Sequence, residues 1–140
     1  MSVRGRVLVA WEILRALAPM VLIEVSLRTS DLPTTCRRLR VGCDLRSASP
    51  PAARLAVLPR RARPAVVASR LVVSRWPAGD TCLRRCLLLG HRLRRLAPVL
   101  RLGVRRDANG AFSAHSWLEV GGSTLDPTAS EFVALGSAGR

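Results

Sequence analysis

Among four cysteines, two histidines and nine carboxylates, one ordered trio could perform acyl transfer: Cys82, His115 and Asp126. A thiol attacks carbonyl carbon as its thiolate, and partial positive charge at a helix amino terminus favours that form. Cys82 stands where a helix should begin, with Arg84, Arg85, Arg92, Arg94 and Arg95 nearby. His115 could take the thiol proton and return it to a leaving amine. Asp126 could hold the imidazole in the required tautomer. Singly, each residue has a plainer reading. A lone cysteine is usually a small core residue, a lone histidine can sit satisfied on a surface, and an aspartate before proline commonly forms a turn. Glu119 could replace Asp126 as the orienting carboxylate, but four residues along one strand put it roughly 13 Å from His115.

These side chains need elements to hold them. "PAGDT" is turn chemistry and leads into "CLRRCLLLGHRLRRL", residues 82–96. There the apolar positions 82, 86, 89, 93 and 96 recur at three and four, the pattern of an amphipathic helix. Asp80 or Thr81 can cap it. Its arginines read as a solvated face, with Cys82 and Cys86 on the buried stripe. Residues 99–105 alternate as a strand, Asn109-Gly110 is a hairpin signal, and residues 114–120 form a second strand. On it His115, Trp117 and Glu119 share one face, opposite Ala114, Ser116 and Leu118. "GGS" turns into a third strand that includes Leu125 and Asp126. The expected sheet is an antiparallel meander.

Upstream signals are weaker. Residues 5–28 read as one long or two short helices, with Pro19 at the first turn of the second. Residues 32–43 read as a short helix capped by Thr34 or Thr35. Residues 46–64 hold a loop at Pro50-Pro51 and one helical turn before Pro59. Residues 65–76 fit helix and strand equally well. The Pro/Arg-rich stretch from about 50 to 64 is the one compositional break, so 1–75 is taken as an N-terminal helical region and 76–140 as the second half.

Composition limits the function classes. The chain has 140 residues, 49% of them hydrophobic, so it can bury one modest core. With three Trp, two Phe and no Tyr, Leu, Val and Ala must fill that core. The formal charge is +14, and all 23 basic residues are arginine. Such a charge attracts acidic partners, but no nucleic-acid module accompanies it, and no nucleic-acid partner is expected. Residues 7–27 are apolar yet carry Glu12, Arg15 and Glu24, each costing about 2.5–3.5 kcal/mol at a bilayer centre. They also lack the uncharged centre of a signal peptide. Buried helices in a cytoplasmic protein without a stable membrane span are expected, with free thiols. The spacings Cys36–Cys43 and Cys82–Cys86 do not match zinc knuckles, and His91 falls off the cysteine stripe, so neither metal nor cofactor is expected.

The stretch "TCLRRCLLLGHRLRRL…LRLGVRR…FSAHSWLEVGGSTLD" resembles the transglutaminase-like cysteine peptidases of lasso-peptide biosynthesis, the leader peptidases often called the B protein and related to the processing protein of microcin J25. The matching residues are Cys82-Leu83, Gly103-Val104-Arg105, Ala114-His115, Trp117, Glu119 and Asp126. The resemblance is good over about residues 76–135 and loose over 5–75. Ser116, Leu118 and Cys86 depart from the common residues, and Cys86 sets a second thiol one turn from the first. The resemblance implies an α+β fold in which N-terminal helices precede a transglutaminase- or papain-like core, a cysteine-bearing helix packed on an antiparallel sheet. It implies catalysis by Cys82, His115 and Asp126, with Trp117 and Glu119 in support. It also implies removal of a leader from a ribosomally made precursor peptide, with a separate leader-recognition protein and an asparagine-synthetase-like cyclase as partners. Two other readings compete: an Arg-rich adaptor without catalysis that binds nucleic acid or acidic protein, and a transglutaminase-type acyltransferase that uses the same trio with an amine acceptor.

Overall fold

A computed structural model describes residues 2–137. Strand β2 (Val99–Arg106) and strand β3 (Phe112–Val120) form its central hairpin, antiparallel from Val99↔Glu119 to Arg106↔Phe112. The Asn-Gly signal acts as expected. Gly110 takes φ +81°, and Asp107 Oδ1 accepts from the N–H groups of Asn109 and Ala111. Register then decides which residues share a face. Leu100 lies opposite Leu118 on one side, while Arg101 lies opposite Trp117, and Gly103 opposite His115, on the other.

The sheet is mixed, which corrects the all-antiparallel expectation. Strand β1 (Gly42–Asp44) runs parallel to the start of β2, and β5 (Val133–Ala134) runs antiparallel along the same edge further on. Strand β4 (Ser123–Thr124) extends the other edge beside β3. A parallel pair needs a long crossover, and here helices α3 (Arg63–Ser74) and α4 (Cys82–Arg92) lie between β1 and β2. Residues 65–76, undecided by periodicity, fall mostly within α3.

Helix α1 is a single helix, Val3–Thr29, running through Pro19 rather than restarting there. Helix α2 (Leu32–Leu39) is capped by Asp31, whose carboxylate accepts from Thr34 N–H at 2.8 Å; neither threonine caps it. Residues 42 and 43, expected to close that helix, lie in β1. The helical turn near Pro59 follows it, as a 3-10 turn at Arg60–Ala62, rather than preceding it.

One core joins both halves of the chain. Ala16, Met20 and Ile23 of α1 meet Val72 and Val73 of α3, Leu87 and Leu88 of α4, and Leu100 and Leu118 of the hairpin. Each of these side chains larger than alanine contributes about 1.5–3 kcal/mol. The deepest face of α4 therefore carries Leu87, Leu88 and Gly90, while Cys82, Cys86 and Leu89 lie beside it, half-buried. Two of the arginines expected on a solvated face turn inward. Arg84 donates from Nε to Glu24 at 2.9 Å, and Arg92 pairs with Glu12. Helix α1 is also not buried all round: Val7, Trp11, Leu14, Val21 and Val25 are each more than half exposed. Among the described residues, no helix is long and apolar enough to cross a membrane.

Candidate active site

Cys82 is the first residue of α4. Thr81, not Asp80, caps that helix, its hydroxyl accepting from Arg84 N–H at 3.2 Å. The N–H groups of Cys82 and Leu83 have no intrahelical acceptor by position, so the helix dipole and free donors both point at the thiol's surroundings. Cys82, Cys86, His115 and Asp126 line one open cavity of about 290 Å³ between α3, α4 and β3. The stripe of α4 that periodicity assigns to the core thus forms a wall of this cavity.

His115 Nε2 is hydrogen-bonded to Asp126 Oδ2. Asp126 lies just beyond β4 rather than on a strand. Its other oxygen accepts from the Thr128 backbone N–H at 2.8 Å and the Thr128 hydroxyl at 2.7 Å. Burial pushes the Asp126 carboxyl upward, but the His115 and Thr128 hydrogen bonds outweigh it and hold it below the usual range. The charged carboxylate accepts from Nε2–H, which leaves Nδ1 of the neutral ring as the free base. Glu119 makes no such contact with His115. Its Oε1 accepts from Trp117 Nε1 at 3.1 Å, Arg101 Nη1 at 3.3 Å and Ala52 N–H at 3.0 Å.

The imidazole is also held by packing. Its centroid is 4.8 Å from that of Phe132 and 6.5 Å from that of Trp117. Trp117 is fully buried with Ala129 and Phe132. Gly103, opposite His115, makes room for this arrangement: a Cβ there would lie 2.8 Å from both the Trp117 ring and the Val133 carbonyl oxygen. Arg105 stacks over Phe132 at 4.8 Å and donates to Glu131 at 2.6 Å, fixing the turn that brings Phe132 to the histidine. The Gly103-Val104-Arg105 signature thus contributes space and an anchor.

The two thiols of α4 differ. Cys86 Sγ donates to the Ser116 carbonyl at 3.4 Å, and its thiol is pushed up to about 12, chiefly by burial. It is held neutral as a packing and donor group, while Cys82 occupies the helix start.

Sequence reasoning missed the α3 wall of the cavity, where Val66, Ser69 and Arg70 lie. Ser69 and Ser116 both border the cavity with buried hydroxyl oxygens that lack a partner among the described residues. No local signal marks Ser69, because residues 65–76 carry no decisive period. Among the described residues, no group of three or more His, Cys, Asp or Glu side chains converges as a metal site.

No match to the chain was found among curated proteins or among solved structures. The family model of the transglutaminase-like superfamily matches residues 19–134, a span that contains the cysteine-bearing helix, the histidine strand and Asp126. The chain therefore belongs to the transglutaminase-like superfamily, whose members are typically cysteine peptidases or acyltransferases.

Proposed function

We propose that this protein is a cysteine peptidase that removes the leader from a lasso-peptide precursor in the cytoplasm. The observation that carries the catalytic part is the cavity that Cys82 lines together with a histidine bonded through Nε2 to Asp126, leaving Nδ1 free. The Cys82 proton passes to His115 Nδ1, and the thiolate bonds the scissile carbonyl carbon. The carbon–nitrogen bond breaks as His115 returns the proton to the departing amine. Water, deprotonated by the same nitrogen, then hydrolyses the thioester and regenerates the thiol. The Cys82 N–H is a donor for the oxyanion, and the Ser69 and Ser116 hydroxyls are further donors at hand.

The choice of a lasso precursor rests on the sequence resemblance over residues 76–135. Four free thiols support a reducing compartment. The exposed apolar stripe of α1 supports a protein partner such as a separate leader-recognition protein, ahead of an asparagine-synthetase-like cyclase. Trp11→Glu should abolish co-elution with that recognition protein without lowering the thermal midpoint; unchanged co-elution removes α1 from the interface.

The decisive experiment is precursor cleavage followed by mass spectrometry. Cys82→Ala and His115→Ala should lose roughly 10⁴-fold or more, whereas Cys86→Ala should remain active. Full cleavage by Cys82→Ala sinks the mechanism and favours an adaptor without catalysis. Incorporation of an added amine in place of water marks an acyltransferase.

A further inference from the structure

A second cavity, about 540 Å³, opens at the other end of α4. Arg15, Arg61, Arg92, Arg94 and Arg95 line it, with Glu12 as its one carboxylate. Glu12 already serves two of them, Arg92 and Arg15. Arg94 donates from Nη1 to the His91 carbonyl, and Arg61 and Arg95 have no carboxylate partner among the described residues. Arg92 is the most informative. Its side chain is 9% exposed, and its Nε is buried without an acceptor among the described residues. A buried guanidinium N–H is rarely left unpaired, and its planar fork matches a carboxylate.

The cavity's position relates it to the thiol. Cys82, Cys86 and Leu89 line the first cavity, and Arg92, Leu93 and Leu96 continue the same three-and-four stripe into the second. On α3, Ser69 and Val66 face the first, and Ala65 faces the second, with Ala62 just ahead of that helix. Both cavities therefore lie along one α3–α4 seam. Ten residues of helix separate Cys82 from Arg92, about 15 Å at the standard rise, a span that roughly five residues of extended peptide cover.

We propose that the arginine cavity is a subsite for an acidic side chain of the peptide substrate, four to six residues from the bond placed over Cys82. The inference rests on the peptidase reading for the identity of the ligand, though not for the anion site itself. Carboxylate binding there would anchor the chain along the seam and set the distance between the acidic residue and the cut.

The test uses the full chain with Cys82→Ala at about 0.15 M salt, where long-range attraction is screened. The probes are two labelled decapeptides of Ala, Ser and Gly, one with two Glu at one end and one with two Gln. Anisotropy should show the Glu peptide binding at least tenfold more tightly. Adding Arg61→Gln with Arg95→Gln should erase that preference. Adding Arg4→Gln with Arg6→Gln, which removes equal charge from exposed positions on α1, should preserve it. Circular dichroism checks that each variant is folded. No preference, or equal loss in both double variants, overturns the subsite. If the preference holds while the wild type cleaves no precursor, the anion site stands and the peptidase reading falls. If precursor is cleaved with no dependence on an acidic residue, the reverse is true.

Discussion

The two faces of the β2–β3 hairpin are held in different ways. On one face Leu100 and Leu118 pack beneath α4 in the apolar core. On the other, Arg101 is buried among polar partners, donating to the Ser49 carbonyl at 2.6 Å, the Pro50 carbonyl at 3.1 Å and Glu119. Glu119 also holds Trp117 and the backbone at Ala52. A loop with little regular structure is thereby fastened over the face that carries His115. Packing orders the side that meets the cysteine helix, and a charged network orders the side that carries the histidine. Such a network is costly to leave half-satisfied, so the two faces should respond differently to mutation.

The largest effect is expected from Glu119→Ala. It leaves the Arg101 guanidinium buried without its carboxylate and should cost about 3–5 kcal/mol in urea denaturation. Glu119→Gln keeps a neutral acceptor for Trp117 and separates positioning from folding: kcat should fall while KM stays within about twofold. A change confined to stability would make the network purely structural. On the apolar face, Leu100→Ala, buried in the core and outside the lining of the active-site cavity, should cost about 2–5 kcal/mol by creating a cavity. Its kcat should survive at temperatures where the protein remains folded. A loss of kcat matching that of Glu119→Gln would erase the contrast between the faces.

Gly103→Ala probes the boundary between them. The new Cβ must displace the Trp117 ring or the β5 backbone, at about 1–3 kcal/mol. Because Trp117 and Phe132 flank His115, the variant should lower the cleavage rate more than Leu100→Ala when both are compared at equal fraction folded. An unchanged rate would show that the histidine tolerates movement of its aromatic neighbours.

The same contrast explains what was legible in the sequence. Strand β3 and α4 announce themselves because period two and period three-to-four are local properties. Asp126 was legible only as the third member of an ordered trio, since a turn aspartate looks the same without a histidine to accept from. Strand β1 was missed because three residues after a helix carry no period, and their partner Val99 lies far along the chain. The inward turns of Arg84 and Arg92 were missed for a similar reason: their carboxylates sit on α1, and side-chain periodicity on α4 cannot reveal a partner in another element. The opposite error affected the stripe at Cys82, Cys86 and Leu89, which has the period of a core face but lines a cavity. Periodicity shows that a face is covered or concave, and only tertiary packing distinguishes the two.

Glu24 gives the smallest and most condition-dependent effect, and it tests whether the helical layer is held by packing alone. Its carboxylate accepts from Arg84 at 2.9 and 3.1 Å and from Trp76 Nε1 at 3.1 Å, tying α1 to α4 and to the end of α3. The Arg84 hydrogen bond leads the causes that lower its pKa from 4.5 to about 2. A depressed carboxylate stabilises the fold above its unfolded pKa, and that contribution disappears as pH falls through the folded value. Wild type should therefore be more stable than Glu24→Gln at neutral pH, and the gap should narrow from about pH 4.5 and close near pH 2. Thermal midpoints of the two proteins across that range measure it. A gap that does not change with pH would mean that Glu24 acts through shape and neutral hydrogen bonding. The charge of Glu24 would then add nothing to what packing, neutral hydrogen bonds and the Glu12–Arg92 pair supply in attaching α1 to the cysteine helix.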